Sequence, residues 1–210
     1  MTFELAFANY ANMADSIFYI SDDDPPAKRR ILEEGLRLFA ERGLSATSIR
    51  DIASATGYSN PALYKHFKTK DELALVLFER SYKELMHRIT LALSRETGFS
   101  EKFSTYVKTF CEFYDEHPHA SIFTTNNLAV LWPRVSGTMG DRTVITLTRQ
   151  LLEDGKQEGL VSKTADLSLL LVLVTGTINQ LNRQFYLNAL EGPAKKHAAG
   201  IEKIIRAGLG

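Results

Sequence analysis

Asn60, Ala62 and Lys65 lie within one short segment and carry side chains that suit the edges of DNA bases. Asparagine can pair with adenine through two hydrogen bonds, lysine can donate to guanine, and an alanine methyl can pack on thymine. Upstream, Thr47 and Ser48 stand where a helix should begin, so hydroxyls and free backbone N–H groups there suit a phosphate oxygen. Lys70 opens a further expected helix, where ammonium and helix terminus could grip one phosphate together. Arg50 could serve either purpose, with a phosphate neighbour the better fit. Phosphate contacts of this kind position a protein on a duplex without reading its sequence.

Two short helices must hold these groups. Thr47 or Ser48 can cap the first, and Asp51, three residues beyond Ser48, completes a capping-box pattern. Ile49, Ile52 and Ala53 then fall at i, i+3 and i+4, which gives that helix one narrow apolar face. Gly57 ends it, because glycine accepts the left-handed conformation that helix termini often require. Ser59 or Asn60 caps the second helix, and Pro61 sits in its first turn, where a missing N–H costs nothing. Leu63 and Phe67 tie it to the core, leaving Asn60, Ala62, Tyr64, Lys65 and His66 outward. Two short helices and a tight turn, the second polar and basic near its start, form a helix-turn-helix.

Beyond that segment the pattern is helical nearly throughout. Pro25 and Pro26 open a helix to about Arg42 with Ile31, Gly35, Leu38 and Phe39 inward. A capping box at Thr69–Glu72 starts a long helix to about Ser94, whose apolar set is Leu73, Leu77, Phe78, Tyr82, Leu85 and Ile89. Further helices are expected near 100–116, 119–131, 138–158, 164–190 and 194–207, broken at Gly98, Pro118, Pro133 with Gly137, Gly159 and Gly192-Pro193. No alternating strand pattern and no internal repeat occur. The reading is all-α: an acidic N-terminal extension over 1–24, a helix-turn-helix domain over 25–72, and a helical domain over 73–210. Phe3, Leu5, Phe7, Tyr10, Ile17, Phe18 and Tyr19 could make the extension a short docking helix; a mobile leader, with Met13 as an alternative start, is the other reading.

The 210 residues carry 25 basic and 25 acidic side chains, a net charge of zero that at first argues against nucleic acid. The distribution reverses this. Residues 1–24 hold five acids and no Lys or Arg, whereas residues 25–72 hold nine bases against six acids. Screening confines exposed charges to about 8–10 Å, so the local balance is what a phosphate feels. The single cysteine, Cys111, excludes an intramolecular disulfide. The N-terminus lacks a positive signal-peptide region, and the 16-residue uncharged run Leu167–Asn182 is interrupted by polar groups and too short to span a bilayer. A cytoplasmic protein without membrane contact is expected.

ILEEGLRLFAERG, TSIRDIASATGYS and NPALYKHFKTKDEL, in this order over about residues 28–75, resemble the DNA-binding domain of the TetR family of bacterial transcriptional regulators. The extension is longer than usual for that family, and Tyr58 is bulkier than the valine or isoleucine often found there. The resemblance implies that Tyr64 and His66 contact the DNA backbone. It also implies a homodimer on a pseudo-palindromic operator, a C-terminal domain that binds a small-molecule effector, and repression rather than activation. Ser59 and Pro61 fall inside the same expected DNA-contact segment.

An effector site should be an apolar pocket with a few polar anchors. Phe103, Tyr106, Phe110, Phe113 and Tyr114 form one stripe at helical spacing, and Phe123 and Trp132 add aromatic surface. Asn126, Asn127 and Asn179 interrupt apolar faces as candidate anchors, beside Thr124. A mainly apolar effector follows, although such a stripe also reads as plain core. Leu167–Val174 is too apolar for one partner face; with Gly176, Ile201, Ile204 and Ile205 it suggests a two-fold interface through helices near 164–190 and 194–207. An organiser of DNA controlled by a protein partner is the alternative. Enzymatic chemistry is not expected: the histidines form no paired-metal spacing, no glycine-rich phosphate loop occurs, and neither metal nor cofactor is implied.

Overall fold

A computed structural model describes residues 18–210, apart from the side chains of Thr138 and Met139. The expected features at Phe3, Leu5, Phe7, Tyr10, Met13 and Ile17 lie outside the described residues. The described chain is helical, without strands. In order come α1 (Pro26–Arg42), α2 (Ile49–Thr56), α3 (Asn60–Tyr64), α4 (Lys70–Leu93), α5 (Gly98–Glu116), α6 (Pro118–Met139), α7 (Val144–Gln157), α8 (Leu167–Tyr186), a 3₁₀ turn (Ala194–His197) and α9 (Ala198–Leu209).

Helices α1 to α3 close a small core from Ile31, Leu38, Phe39, Ile52, Ala53, Leu63 and Phe67. Gly35 lets α1 meet α4 closely, since a Cβ there would stand 3.0 Å from Leu73 Cδ2. All six apolar residues expected along α4 are buried, so this helix carries the core from the N-terminal head into the larger C-terminal body.

Several boundaries differ from expectation. Helix α3 has only five residues; beyond it the His66 and Phe67 amides both donate to the Leu63 carbonyl, which tightens the chain into a turn. Helix α6 continues through Pro133, where a break was expected. Proline removes the N–H that would reach residue 129. Pro133 and Ala129 face solvent, so that carbonyl can meet water, while Leu131 and Val135 stay buried and hold both halves to the core. The break falls instead at Gly140, with φ +68°, and Thr143 then caps α7. Helix α8 stops at Tyr186, followed by Asn188 with φ +54°.

Residues 18–24 form no helix; they make a strap of turns. Phe18 packs its edge on His117 at 4.8 Å and leans on Phe113, both at the end of α5. Asp24 is the strap's anchor. Its carboxylate takes Lys28 Nζ at 2.7 Å, Arg80 Nη1 at 2.8 Å and the Ser21 amide at 2.8 Å. Arg80 Nη1 also donates to the Tyr19 carbonyl at 2.7 Å, so one α4 guanidinium ties the strap to the start of α1.

Candidate DNA-contact face and ligand cavity

Ser48 is the N-cap of α2. Its hydroxyl accepts from the Asp51 amide, and the Ser48 amide donates to the Asp51 carboxylate, which completes the expected capping box. Gly57 ends α2 at φ +75°, ψ +8°, a left-handed turn open to glycine at no steric cost. The chain reverses there and presents the outer side of α3. Tyr64 is 52% exposed, Pro61, Ser59, Lys65 and Arg50 are exposed, and Asn60, Ala62 and His66 are half-buried. Among the described residues, the Tyr64, Lys65, Arg50 and Asn60 side chains engage no polar partner, so their polar atoms are free for a ligand.

Two expected contacts are corrected. Thr47 is buried, and its hydroxyl points inward to the carbonyls of Gly43 at 2.9 Å and Leu38 at 3.2 Å. It cannot present that group to a phosphate, because the same proton closes the α1–α2 turn. Lys70 lies at the first position of α4, but its ammonium turns back to the carbonyls of Leu44 at 2.7 Å and Thr47 at 2.8 Å. Two of its three donors are thus committed to holding the α1–α2 loop on α4.

The C-terminal body holds a partly open cavity of about 90 Å³ between α4, α5, α6, α7 and α8. Of the expected ligand residues, Tyr106, Phe110, Phe113 and Asn179 line it, as does Thr124. The others lie elsewhere. Phe103 packs under the Arg206 guanidinium, 5.0 Å from it, and Tyr114 packs against Phe185. Phe123 stacks on Phe39 of α1 with ring centroids 5.7 Å apart. Asn126 accepts from Arg183 Nε on the surface, and Asn127 donates to the Phe123 carbonyl. Trp132 sits against Tyr82 at 5.0 Å, one layer behind the wall. The reason is common to the aromatic misses: α5 is packed around most of its circumference, so one stripe serves several neighbours.

Tyr82, Ser121, Thr125, Thr175, Ile178 and Asn182 also line the cavity and escaped the sequence reading. A signal existed. Thr175, Asn179 and Asn182 recur at i, i+4 and i+7 inside the apolar α8, and Ser121, Thr124 and Thr125 repeat at i, i+3 and i+4 on α6. Burial pushes the Tyr106 and Tyr82 phenols upward, so both remain neutral at physiological pH. Burial likewise drives the Cys111 thiol up to about 12, which leaves it an unreactive packed group. No cluster of three or more metal-ligating side chains occurs among the described residues. Asp115 and Glu116, which neighbour two histidines, are spent on the backbone of the 3₁₀ turn and on Arg88. No described helix is long and apolar enough to cross a membrane.

Helix α6 is shared by both regions. One side of its first turns faces the cavity through Ser121, Thr124 and Thr125; the other meets α1 through Phe123 on Phe39 and through His119, 3.9 Å from Glu41.

Residues 31–77 match the sequence profile of the tetR family of bacterial regulatory proteins. The HTH-type transcriptional repressor KstR2 of Mycolicibacterium smegmatis is 34% identical over 99 residues, 46% of this chain and 48% of that protein. The HTH-type transcriptional activator FasR of the same organism is 29% identical over 114 residues, 53% and 52% of the two chains. The matches therefore span about half the length of these relatives. The solved ketosteroid regulator KstR2 of Mycobacterium tuberculosis superposes over 86% of this chain and 94% of its own, with a TM-score of 0.76 and 24% identity, a likeness of fold. Capped helices and glycine turn over residues 31–77 are thus similar to the helix-turn-helix domain of the tetR family of bacterial regulatory proteins, and the helical body behind them shares its fold with the solved KstR2.

Proposed function

We propose that the protein is a ligand-responsive repressor, acting in the cytoplasm as a homodimer on a pseudo-palindromic operator and released when a small, mainly apolar molecule fills the cavity. The observation that carries this reading is the double duty of α6, whose first turns wall the cavity on one side and stack on α1 on the other. In this reading a ligand larger than the space pushes α6 or α8 outward. Phe123 then shifts against Phe39, and α1 turns with the two helices it carries. Linkage requires operator DNA to weaken effector binding by the same factor. A cavity inside the body favours a small effector over a protein partner. Repression follows the KstR2 relative; the FasR relative is an activator.

The dimer reading rests on surface left bare in one subunit. Leu169, Val172 and Ile204 are 69%, 66% and 71% exposed on the outer faces of α8 and α9. Gly176 and Gly200 have open space above them, which would admit a partner helix closely. Ile201 and Ile205, expected at the same interface, are instead buried within the subunit. Two α3 helices would then enter successive major grooves about 34–36 Å apart.

Asn60, Ala62 and Lys65 are assigned to bases; Arg50, Ser59, Tyr64 and His66 to the backbone, whereas Ser48, expected there too, gives its hydroxyl proton to Asp51 Oδ2 at 2.5 Å. The test uses a duplex selected by the protein from a random-sequence pool. Tyr64→Ala and Lys65→Ala should fold and dimerise normally but bind that duplex roughly tenfold more weakly, as for loss of a contact worth about 1–3 kcal/mol. Undiminished binding by both variants rejects α3 as the recognition element.

A further inference from the structure

We infer that the group entering the cavity is uncharged, about the size of one ring, and carries an oxygen that accepts hydrogen bonds; carboxylates and phosphates are excluded from it. The inference rests on the reading of the cavity as the effector site and narrows the chemical class of the effector.

The argument is an inventory of protons. No charged side chain lines the cavity. Thr148 donates its hydroxyl proton to the Val144 carbonyl at 2.7 Å, so in the 2.5 Å contact between Tyr106 and Thr148 the phenol must donate. Tyr106 is therefore spent. Thr124 and Thr175 each donate to the carbonyl four residues earlier, Ala120 and Leu171, and are spent as well. Tyr82 differs. Its oxygen accepts from the Val144 amide at 3.0 Å, and its own proton has no acceptor among the described residues. Ser121 repeats the pattern: its oxygen accepts from Asn182 Nδ2 at 3.1 Å, and its proton is uncommitted. Asn179 makes no polar contact among the described residues, and Asn182 retains its carbonyl oxygen and one N–H.

Thr125, also in the wall, has no polar partner among the described residues, so the wall offers three hydroxyl protons, from Tyr82, Ser121 and Thr125, and amide groups to a neutral oxygen, framed by Phe110, Phe113 and Leu85. A ketone or hydroxyl group satisfies them. A carboxylate would surrender its hydration with no cation to receive it, a loss that neutral donors do not make good. At about 10–15 Å³ for each water-sized position, 90 Å³ gives roughly six to nine positions, enough for a single ring with a short substituent. A longer ligand fits only if its remainder, charged or not, stays outside this space or the helices part.

The chain's one tryptophan reports occupancy, since Trp132 packs against Tyr82. Acetophenone, its hydrocarbon shape-analogue α-methylstyrene, and benzoate would each be titrated into the intact protein, with Trp132 fluorescence and calorimetry as readouts. Acetophenone should bind at least tenfold more tightly than benzoate and about fivefold more tightly than the hydrocarbon. Tyr82→Phe or Ser121→Ala should lower the ketone's advantage over the hydrocarbon at least twofold while leaving hydrocarbon affinity within about twofold. Ser121→Ala serves if Tyr82→Phe unfolds. Benzoate binding as tightly as the ketone, or a ketone preference unchanged in the variants that fold, overturns the inference alone. Failure of all three probes to bind, the hydrocarbon included, overturns the effector-site reading together with it.

Discussion

Lys70 separates two accounts of the same residue. At the start of α4 a cation faces the positive end of the helix dipole, an arrangement that costs about 0.3–1 kcal/mol. The structure offsets this with two carbonyl acceptors at 2.7 and 2.8 Å, from Leu44 and Thr47. Hydrogen bonds to a charged group contribute about 1.5–3 kcal/mol each. In Lys70→Met both are lost, but the unfavourable dipole contact goes too, and water can reach the half-buried Leu44 carbonyl. The net loss should be about 2 kcal/mol, or a fall in Tm of roughly 4–8 °C for a chain of this length. Thermal unfolding followed by circular dichroism measures it. Operator binding titrated against salt supplies the contrast, since a lost phosphate contact lowers the slope of log K against log salt by about 0.9. The clamp account expects a lower Tm and an unchanged slope. An unchanged Tm with a slope reduced by about one would refute it and return Lys70 to the phosphate.

Three further outcomes are expected. In Gly155→Ala the new Cβ would lie 2.6 Å from Val161 Cγ2 and 2.7 Å from Phe99 Cδ2, so urea unfolding should show a loss of roughly 1–3 kcal/mol. Arg80 and Lys28 hold the Asp24 carboxyl far below the ordinary carboxylate range against the opposing effect of burial, and its stabilisation is complete above the unfolded value near 3.8. That contribution should fade as pH falls below about 4. Asp24→Asn, lower in stability by on the order of 3 kcal/mol at pH 7, should lose part of the wild type's acid sensitivity in unfolding measured between pH 7 and pH 3. Val172→Glu or Ile204→Glu should sediment as a helical monomer at micromolar concentration; a dimer in both would move the interface elsewhere.

The head was legible because each of its devices is local. Ser48 and Asp51 sit three apart, Gly57 marks the turn, and the apolar spacing of α1 and α4 follows one helix period, so neighbours in sequence decide the conformation. What the hydroxyl of Thr47 and the ammonium of Lys70 do was not legible, because their partners lie up to 26 residues away and the same side-chain types also suit a phosphate. Pro133 misled for a related reason: its cost depends on whether residue 129 can reach water, which only the packing of α6 decides. The cavity lay between these cases. Aromatic spacing marks α5 as buried but cannot say which neighbour each ring meets, whereas the polar repeats on α6 and α8 point to one shared space.

In the proposed mechanism the Phe39–Phe123 stack transmits the preference, and its geometry bounds how. Both rings are buried, nearly parallel at 20°, and borne by helices whose inner faces are close-packed. Packed interiors yield by changing between discrete arrangements more readily than by continuous compression. A ligand that enlarges the cavity slightly should therefore produce little effect until α6 moves far enough for Phe123 to leave its place on Phe39. Meanwhile the strap, fixed to α1 through Asp24 and to the body through Phe18, resists that movement from the opposite end of α1. In that mechanism how far an effector displaces α6 on filling the cavity, more than its affinity as such, should govern release from DNA, because a molecule with equal affinity for both states shifts neither.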